Sequence, residues 1–237
     1  MLFFYIRHGD PIYNPDSLTP LGERQAEAVA KRLAVYGVDK IYASTSNRAV
    51  MTSTPTAEIL KKDITRLDFC NENHAWKDFT VVCETGRRWA FQDKETRKLF
   101  CGEEILALRD KWYTHPDFSD YHFENGLERI GKESDEFFKS LGYEHIKGTG
   151  TYKVLRENNE RVALFAHQGF GIAFLSSLLD IPYPVFSMHF DTSHTGMTVI
   201  EFKDEDGIAI PKILTLSNDS HLYKEGLPTK YNNITRF

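Results

Sequence analysis

Residues 2–10 read LFFYIRHGD. Five apolar or aromatic residues run up to Arg7, and Gly9 and Pro11 follow almost at once. A run that short and aromatic, closed by turn residues, reads as a fully buried strand. The next stretch, RHGDPIYNPD (7–16), carries two prolines, a glycine and an asparagine and reads as a loop. A helix should follow. Thr19 can cap it, with Pro20 at the first helical position, where its missing N–H costs nothing. Ala26, Val29, Ala30 and Leu33 then share one face, and Gly37 supplies the stop. VDKIYAS (38–44) is a second strand, and SNRAVMTSTPTAEILKK (46–62) a second helix, which Pro55 should kink or restart. ITRLDF (64–69) is a third strand.

Strand alternating with helix implies a parallel sheet with crossover helices. The rhythm resumes at RVALFAH (161–167), followed by GFGIAFLSSLLDIP, a helix that Pro182 should end. TGMTVIEFKDEDGIAIPKILTLSN (195–218) alternates and contains DEDG, so two strands joined by a turn are expected. Between residues 77 and 155 the rhythm is absent, and two helical candidates stand there, 93–115 (interrupted by Gly102) and 127–143. The expected architecture is a single α/β domain over 1–237. It has a mostly parallel sheet, helices on both faces, and a helical cap insertion at about 77–155.

The 237 residues carry a net charge of −5, and no basic stripe suggests a nucleic-acid partner. Cys70, Cys83 and Cys101 are odd in number and lack metal spacing, so reduced thiols and a cytoplasmic location are expected. Arg7 follows the apolar run instead of preceding it, so no leader is expected. No apolar stretch approaches the roughly 20 residues that span a bilayer, so no membrane partner is expected either. Oligomeric state is not legible.

In an open parallel sheet, ligands bind beyond the carboxyl ends of the strands. Strand one ends in Arg7-His8-Gly9, Arg48 follows strand two, Glu72 follows strand three, and the late strand ends in His167-Gln168-Gly169. Two guanidiniums offer forked donors matched to phosphate oxygens. Glycines after each histidine region let backbone N–H groups approach an anion. An imidazole can attack phosphorus, and a carboxyl group can protonate the leaving oxygen and then help deprotonate water. The cations already neutralise a transferring phosphoryl group, so neither metal nor other cofactor is expected. Taken singly, each residue has a plainer reading, structural for a histidine ending a strand and solvated for Arg48 or Glu72. Their joint placement on one edge is what points to phosphate chemistry.

YIRHG, then LTPLGERQA, then YASTSNRA, then FAHQG, in that order, resemble the histidine phosphatase superfamily in its phosphoglycerate-mutase-like branch. The resemblance is close over 2–60 and 161–221 and loose between. It implies that His8 becomes phosphorylated and that Arg7, Arg48, His167 and Asn14 hold the phosphate. It implies an acid/base glutamate a couple of dozen residues after Arg48, a place that Glu72 fills, with Glu84 as the rival. Departures are Gln168 where the family usually has glycine, and Ser44-Thr45-Ser46 where it usually has serine-proline. The mutases' longer segment after the RHG loop and their Arg-Pro-Pro-rich loop are both missing, which favours hydrolysis. Asp10, where mutases usually have glutamate, stays open as a rim or loop residue.

Other residues have a bland reading beside a functional one. Arg87 and Arg88 could clamp a substrate, though a solvated pair is the stronger expectation. Trp76, Trp89 and Trp112 could line a substrate site, though core packing is the stronger expectation. His189, His194 and His221 fit no familiar metal site. By resemblance His194 stands near the active-site rim as a weak substrate contact. The expected activity is a metal-independent phosphatase that hydrolyses small-molecule phosphomonoesters through a phosphohistidine. The alternatives are a phosphoglycerate mutase that uses a bisphosphoglycerate primer, or a catalytically weak protein that binds phosphate ligands.

Overall fold

The structure, a computed structural model, describes residues 1–84 and 86–232. The opening run forms β1 (Leu2–Arg7), buried from Phe3 onward. Phe4 and Ile6 enter one apolar cluster with Val29, Leu33, Ile41 and Phe165. Phe3 and Tyr5 enter another with Val162, Leu164, Phe138 and Phe174. Successive side chains alternate between faces, and because both faces are covered the strand carries no polar alternation. Residues 7–16, expected as loop, instead contribute to a small antiparallel ribbon, β2 (Pro11–Tyr13) and β3 (Asp16–Leu18). Three-residue strands are too short for periodicity to reveal.

Helix α1 (Pro20–Tyr36) begins where Thr19 caps the N–H of Gly22 and ends at Gly37, whose φ is 72°. Next come β4 (Lys40–Ser44), α2 (Asn47–Leu60) and β5 (Ile64–Leu67). Helix α2 passes through Pro55 as one element, without the expected restart.

The stretch at about 77–155 holds strands as well as helices. Helix α3 (Glu72–Asp78) leads into a hairpin, β6 (Thr80–Cys83) and β7 (Gly86–Trp89). Two short helices follow, α4 (Lys94–Phe100) and α5 (Glu103–Ala107). They surround a knot of Phe100, Trp112, Phe118 and Phe123. The longest helix, α6 (Phe123–Ser140), sets Phe137 and Phe138 against Phe3, ring centroids 6.1 and 5.3 Å apart. It therefore belongs to the layer that covers the main sheet. A second hairpin, β8 (Tyr143–Ile146) and β9 (Thr151–Val154), completes the stretch.

Strand β10 (Arg161–Ala166) leads into α7 (Gln168–Leu178), which is buried almost all round. Helix α7 ends at Leu178, not at Pro182. Asp180, at φ 50°, turns the chain, and Pro182 precedes a further helix, α8 (Tyr183–His189). The expected pair of late strands is β11 (Met197–Glu201) and, at the end, β14 (Lys212–Asn218). The DEDG turn lies between two more short strands, β12 (Asp204–Glu205) and β13 (Ile208–Ala209). These two extend the β8–β9 hairpin into a second sheet. A last short helix, α9 (Ser220–Lys224), follows.

The main sheet has the order β14-β11-β1-β10-β4-β5. β1, β10, β4 and β5 are parallel, β11 runs antiparallel to β1, and β14, antiparallel to β11, returns to the direction of β1. The late strand β10 thus lies between β1 and β4, and three parallel strands from distant parts of the chain end side by side. Among the described residues no helix is long and apolar enough to cross a membrane.

Candidate active site

β1 and β10 end level, with Arg7 opposite Ala166. The next residue on each strand is a histidine. The N–H of His8 donates to the Ala166 carbonyl at 2.9 Å, and the His8 and His167 rings lie 5.2 Å apart between centroids. β4 ends on the other side of β10, so its residues reach His167 too. The hydroxyls of Ser44 and Ser46 lie 2.8 and 3.0 Å from its Nε2. Glu72, in the first turn of α3, brings Oε2 to 3.4 Å from Nδ1 of His167, while its Oε1 accepts the N–H of Phe170 at 3.1 Å. Tyr5 fixes the start of α7 by donating its hydroxyl to the His167 carbonyl. The structure therefore brings together His8, Arg7, Arg48, Glu72 and His167.

The imidazole of His8 has a defined polarity. Its Nδ1 lies 2.7 Å from the carbonyl of Gly9. A carbonyl only accepts, so Nδ1 carries the hydrogen and Nε2 keeps its lone pair. Burial, then the neighbouring His167, Arg7 and Arg48, holds the pKa of His8 well below 6.5, so the ring is neutral at pH 7. His167 is lowered likewise, by burial and then by Arg48 and Arg7. Glu72 moves the other way. Burial pushes its carboxyl up to about 7 against the opposing pull of Arg48.

Arg7 is wholly buried and held from behind. It donates to the Thr192 carbonyl, and its Nη2 lies 2.9 Å from Nε2 of His194. Arg48 donates from Nη1 to Asp16 at 2.7 Å. Among the described residues, Nε of Arg7 and Nε of Arg48 are buried without a hydrogen-bond partner. Buried guanidinium donors left open are costly unless an anion meets them. Ligand atoms of His8, Glu72 and His167 all lie within 4.8 Å of one another and could hold a cation. Two permanent guanidinium charges act on the same space, however, and match the set to an anion.

These groups open into a cleft of about 770 Å³, lined by His8, Arg48, Glu72, Gly169, Trp76 and Trp89 among others. Another cavity, about 730 Å³ around Met1, Tyr143 and Asp204, lies by the amino end of β1 and holds no such constellation. Of the other sequence candidates, Asn14 sits exposed at the tip of the β2–β3 ribbon, outside the cleft lining, and Tyr13 and Asp16 line it instead. Glu84 is exposed in the β6–β7 turn and does not line the cleft. Arg87 and Arg88 are exposed on β7 outside it too, with Arg87 donating to Thr80. His194 is buried against Arg7 rather than at the rim, and burial and then Arg7 push its pKa down to about 3. Trp112 packs in the aromatic knot, as the bland reading had it, but Trp76 and Trp89 face the cleft.

Asp10 has a definite place. Its carboxylate accepts from Thr19 at 2.8 Å and pairs with Lys230 at 2.8 Å, and it lies 3.4 Å from Nδ1 of His194. It thus ties the cap of α1 to the histidine that backs Arg7. Sequence reading missed Asp16, Ser44, Ser46, Gln92 and Asn232 as parts of this site. Only Ser44 and Ser46 carried a signal, because one ends a strand on the site's edge and the other stands at the N-cap of the helix that follows it.

Residues 3–111 match the family model of the histidine phosphatase superfamily, branch 1. No curated protein matches the sequence. Among solved structures, the phosphoserine phosphatase of Entamoeba histolytica in complex with 3-phosphoglyceric acid superposes with a TM-score of 0.60 at 19% identity, covering 93% of this chain and 98% of that one. The mycobacterial glucosyl-3-phosphoglycerate phosphatase in complex with inorganic phosphate gives 0.59 at 18% identity, covering 93% and 98%. At such identities the likeness is one of fold. Residues 3–111 are thus similar to the histidine phosphatase superfamily, and the whole chain shares the fold of these phosphatases.

Proposed function

We propose that the protein is a metal-independent phosphatase that hydrolyses small phosphomonoesters through a phosphohistidine on His8. The observation that carries this reading is the His8 ring. Its Nδ1 is committed to the Gly9 carbonyl, so its Nε2 lone pair is available, and Arg7, Arg48 and His167 surround it. Arg7, Arg48 and His167 hold the phosphoryl oxygens. Nε2 of His8 attacks phosphorus, the ester P–O bond breaks, and Glu72 gives its proton to the leaving oxygen. The carboxylate of Glu72 then takes a proton from water, whose oxygen attacks phosphorus. The P–N bond breaks, inorganic phosphate leaves, and His8 is restored. A carboxyl whose pKa is about 7 suits both halves, because it is populated in both forms near neutrality.

The test is rapid denaturation of the enzyme in alkali during turnover of a radiolabelled phosphoester, followed by peptide mapping. Label on His8 is expected, and His8→Ala is expected to abolish both label and phosphate release. Full activity in His8→Ala rules the mechanism out. Isomerisation of phosphoglycerates stimulated by a bisphosphoglycerate primer would instead identify a mutase.

A further inference from the structure

The wall of the cleft beyond the phosphate pocket has an unusual chemistry. Among the described residues, every charged one in the cleft lining belongs to the pocket itself: Arg48, Glu72 and Asp16, which is already paired with Arg48. The rest of the lining is rich in amide and aromatic side chains, notably Asn73, Gln92, Gln168, Asn232, Trp76 and Trp89. Trp89 is pinned, stacked on Phe91 and closed over Gly169, where a Cβ would come within 2.4 Å of its ring. Trp76 stands edge-on to Trp89 at 4.9 Å and is 38% exposed. It therefore offers apolar ring surface to whatever enters. Gln168 is 3% exposed and donates its Nε2 to Asp191. That bond orients the amide, and its Oε1 is buried without a partner among the described residues. An orphaned buried acceptor calls for a donor. A hydroxyl can donate to it, whereas a carboxylate or a second phosphate brings only acceptors.

Resting on the phosphatase reading above, we infer that the substrate is the monophosphate of a sugar or other polyol with no second anionic group. Amides supply both donors and acceptors to hydroxyls, and Trp76 covers the apolar face of a pyranose or polyol chain. Once a phosphate dianion occupies Arg7 and Arg48, no cation among the described residues of the cleft lining is left for another negative charge. A second anion would be desolvated near the Asp16 carboxylate without compensation.

Matched pairs that differ only by a carboxylate test this: glucose 6-phosphate against 6-phosphogluconate, and glycerol 3-phosphate against 3-phosphoglycerate. kcat/KM is read on the wild type and Kd by calorimetry on His8→Ala, with p-nitrophenyl phosphate as the general phosphatase substrate. The neutral member of each pair is expected to win at least about tenfold in both readouts. Trp76→Ala is expected to raise KM for glucose 6-phosphate more than it lowers kcat. Equal or better binding and turnover of the carboxylates overturns the inference. If neither p-nitrophenyl phosphate nor any ester is hydrolysed while the calorimetric preference for the neutral members stands, the ligand class is supported and the phosphatase reading falls.

Discussion

The carboxylate of Asp16 reaches across from the β2–β3 ribbon to lie 2.7 Å from Nη1 of Arg48, and its second oxygen accepts the N–H of Asn47 at 2.7 Å. A carboxylate thus sits on the arginine proposed to hold phosphate and on the first N–H of α2, both of which favour an anion. It orients Arg48, but its charge opposes an incoming phosphate. Asp16→Asn keeps the shape and removes the charge. Inhibition by inorganic phosphate should therefore tighten, on the order of three- to tenfold for loss of one nearby partly exposed charge. Unchanged or weaker inhibition would show that orientation of Arg48 outweighs repulsion.

A pH profile should show Glu72 directly. The proposed reaction needs His8 neutral and Glu72 protonated. His8 is held well below 6.5, so it limits the rate only in acid. Glu72, at about 7, limits it above neutrality, so kcat/KM should fall as pH rises through that value. A bound phosphate dianion opposes ionisation of the carboxyl, so the alkaline limb of kcat should lie higher than that of kcat/KM. Glu72→Gln should lose about 100- to 10,000-fold in kcat for an alkyl phosphate and lose the alkaline limb with it. A limb that persists in the variant belongs to another group.

The strands and helices that build the pocket were legible because each is fixed locally, by a buried run, a cap or a stop. Thr19, Pro20 and Gly37 bound α1 in the structure as their chemistry requires. Arg7, His8 and His167 were legible because a parallel sheet sends all its strand ends to one edge. The backing of Arg7 was not, because its partners Thr192 and His194 lie 185 and 187 residues away and no local pattern encodes that closure. Asn14 and Asp16 are two residues apart in one turn, and only the ribbon's register decides which of them meets Arg48. Trp76 and Trp112 look alike in sequence, yet the cleft leaves one 38% exposed and the core leaves the other 1% exposed.

Gly169 should be sensitive to a single methyl group. A Cβ there would stand 2.4 Å from Trp89 and 2.7 Å from Oε1 of Glu72, so neither neighbour can keep its place. Gly169→Ala should cost about 1–3 kcal/mol of stability through overpacking and should lower kcat further by displacing the carboxyl. Denaturant unfolding and steady-state kinetics on the same preparation separate the two effects. Wild-type kcat in a folded variant would show that Glu72 need not hold this position.

Far from the cleft, His145 on β8 lies between Asp135 of α6, at 2.8 Å, and Asp180 after α7, at 3.0 Å. Burial pushes its pKa down, but the hydrogen bond it donates to Asp135 and the charges of Asp180 and Asp135 outweigh it, and the net shift is upward. Folding therefore binds this proton more tightly than the unfolded chain does. The stabilisation is fully present below the unfolded pKa of about 6.5 and is lost as pH rises through the higher folded value. Replacing His145 by glutamine removes the titration while keeping a polar side chain. The melting temperature of the wild type should exceed that of His145→Gln by most near pH 6, by a few degrees. The gap should narrow steadily towards pH 9, because the neutral imidazole keeps its hydrogen bonds to at most one carboxylate. A gap that is constant over that range would mean that His145 contributes by packing on Tyr152, whose ring it stacks at 4.5 Å, and not by charge.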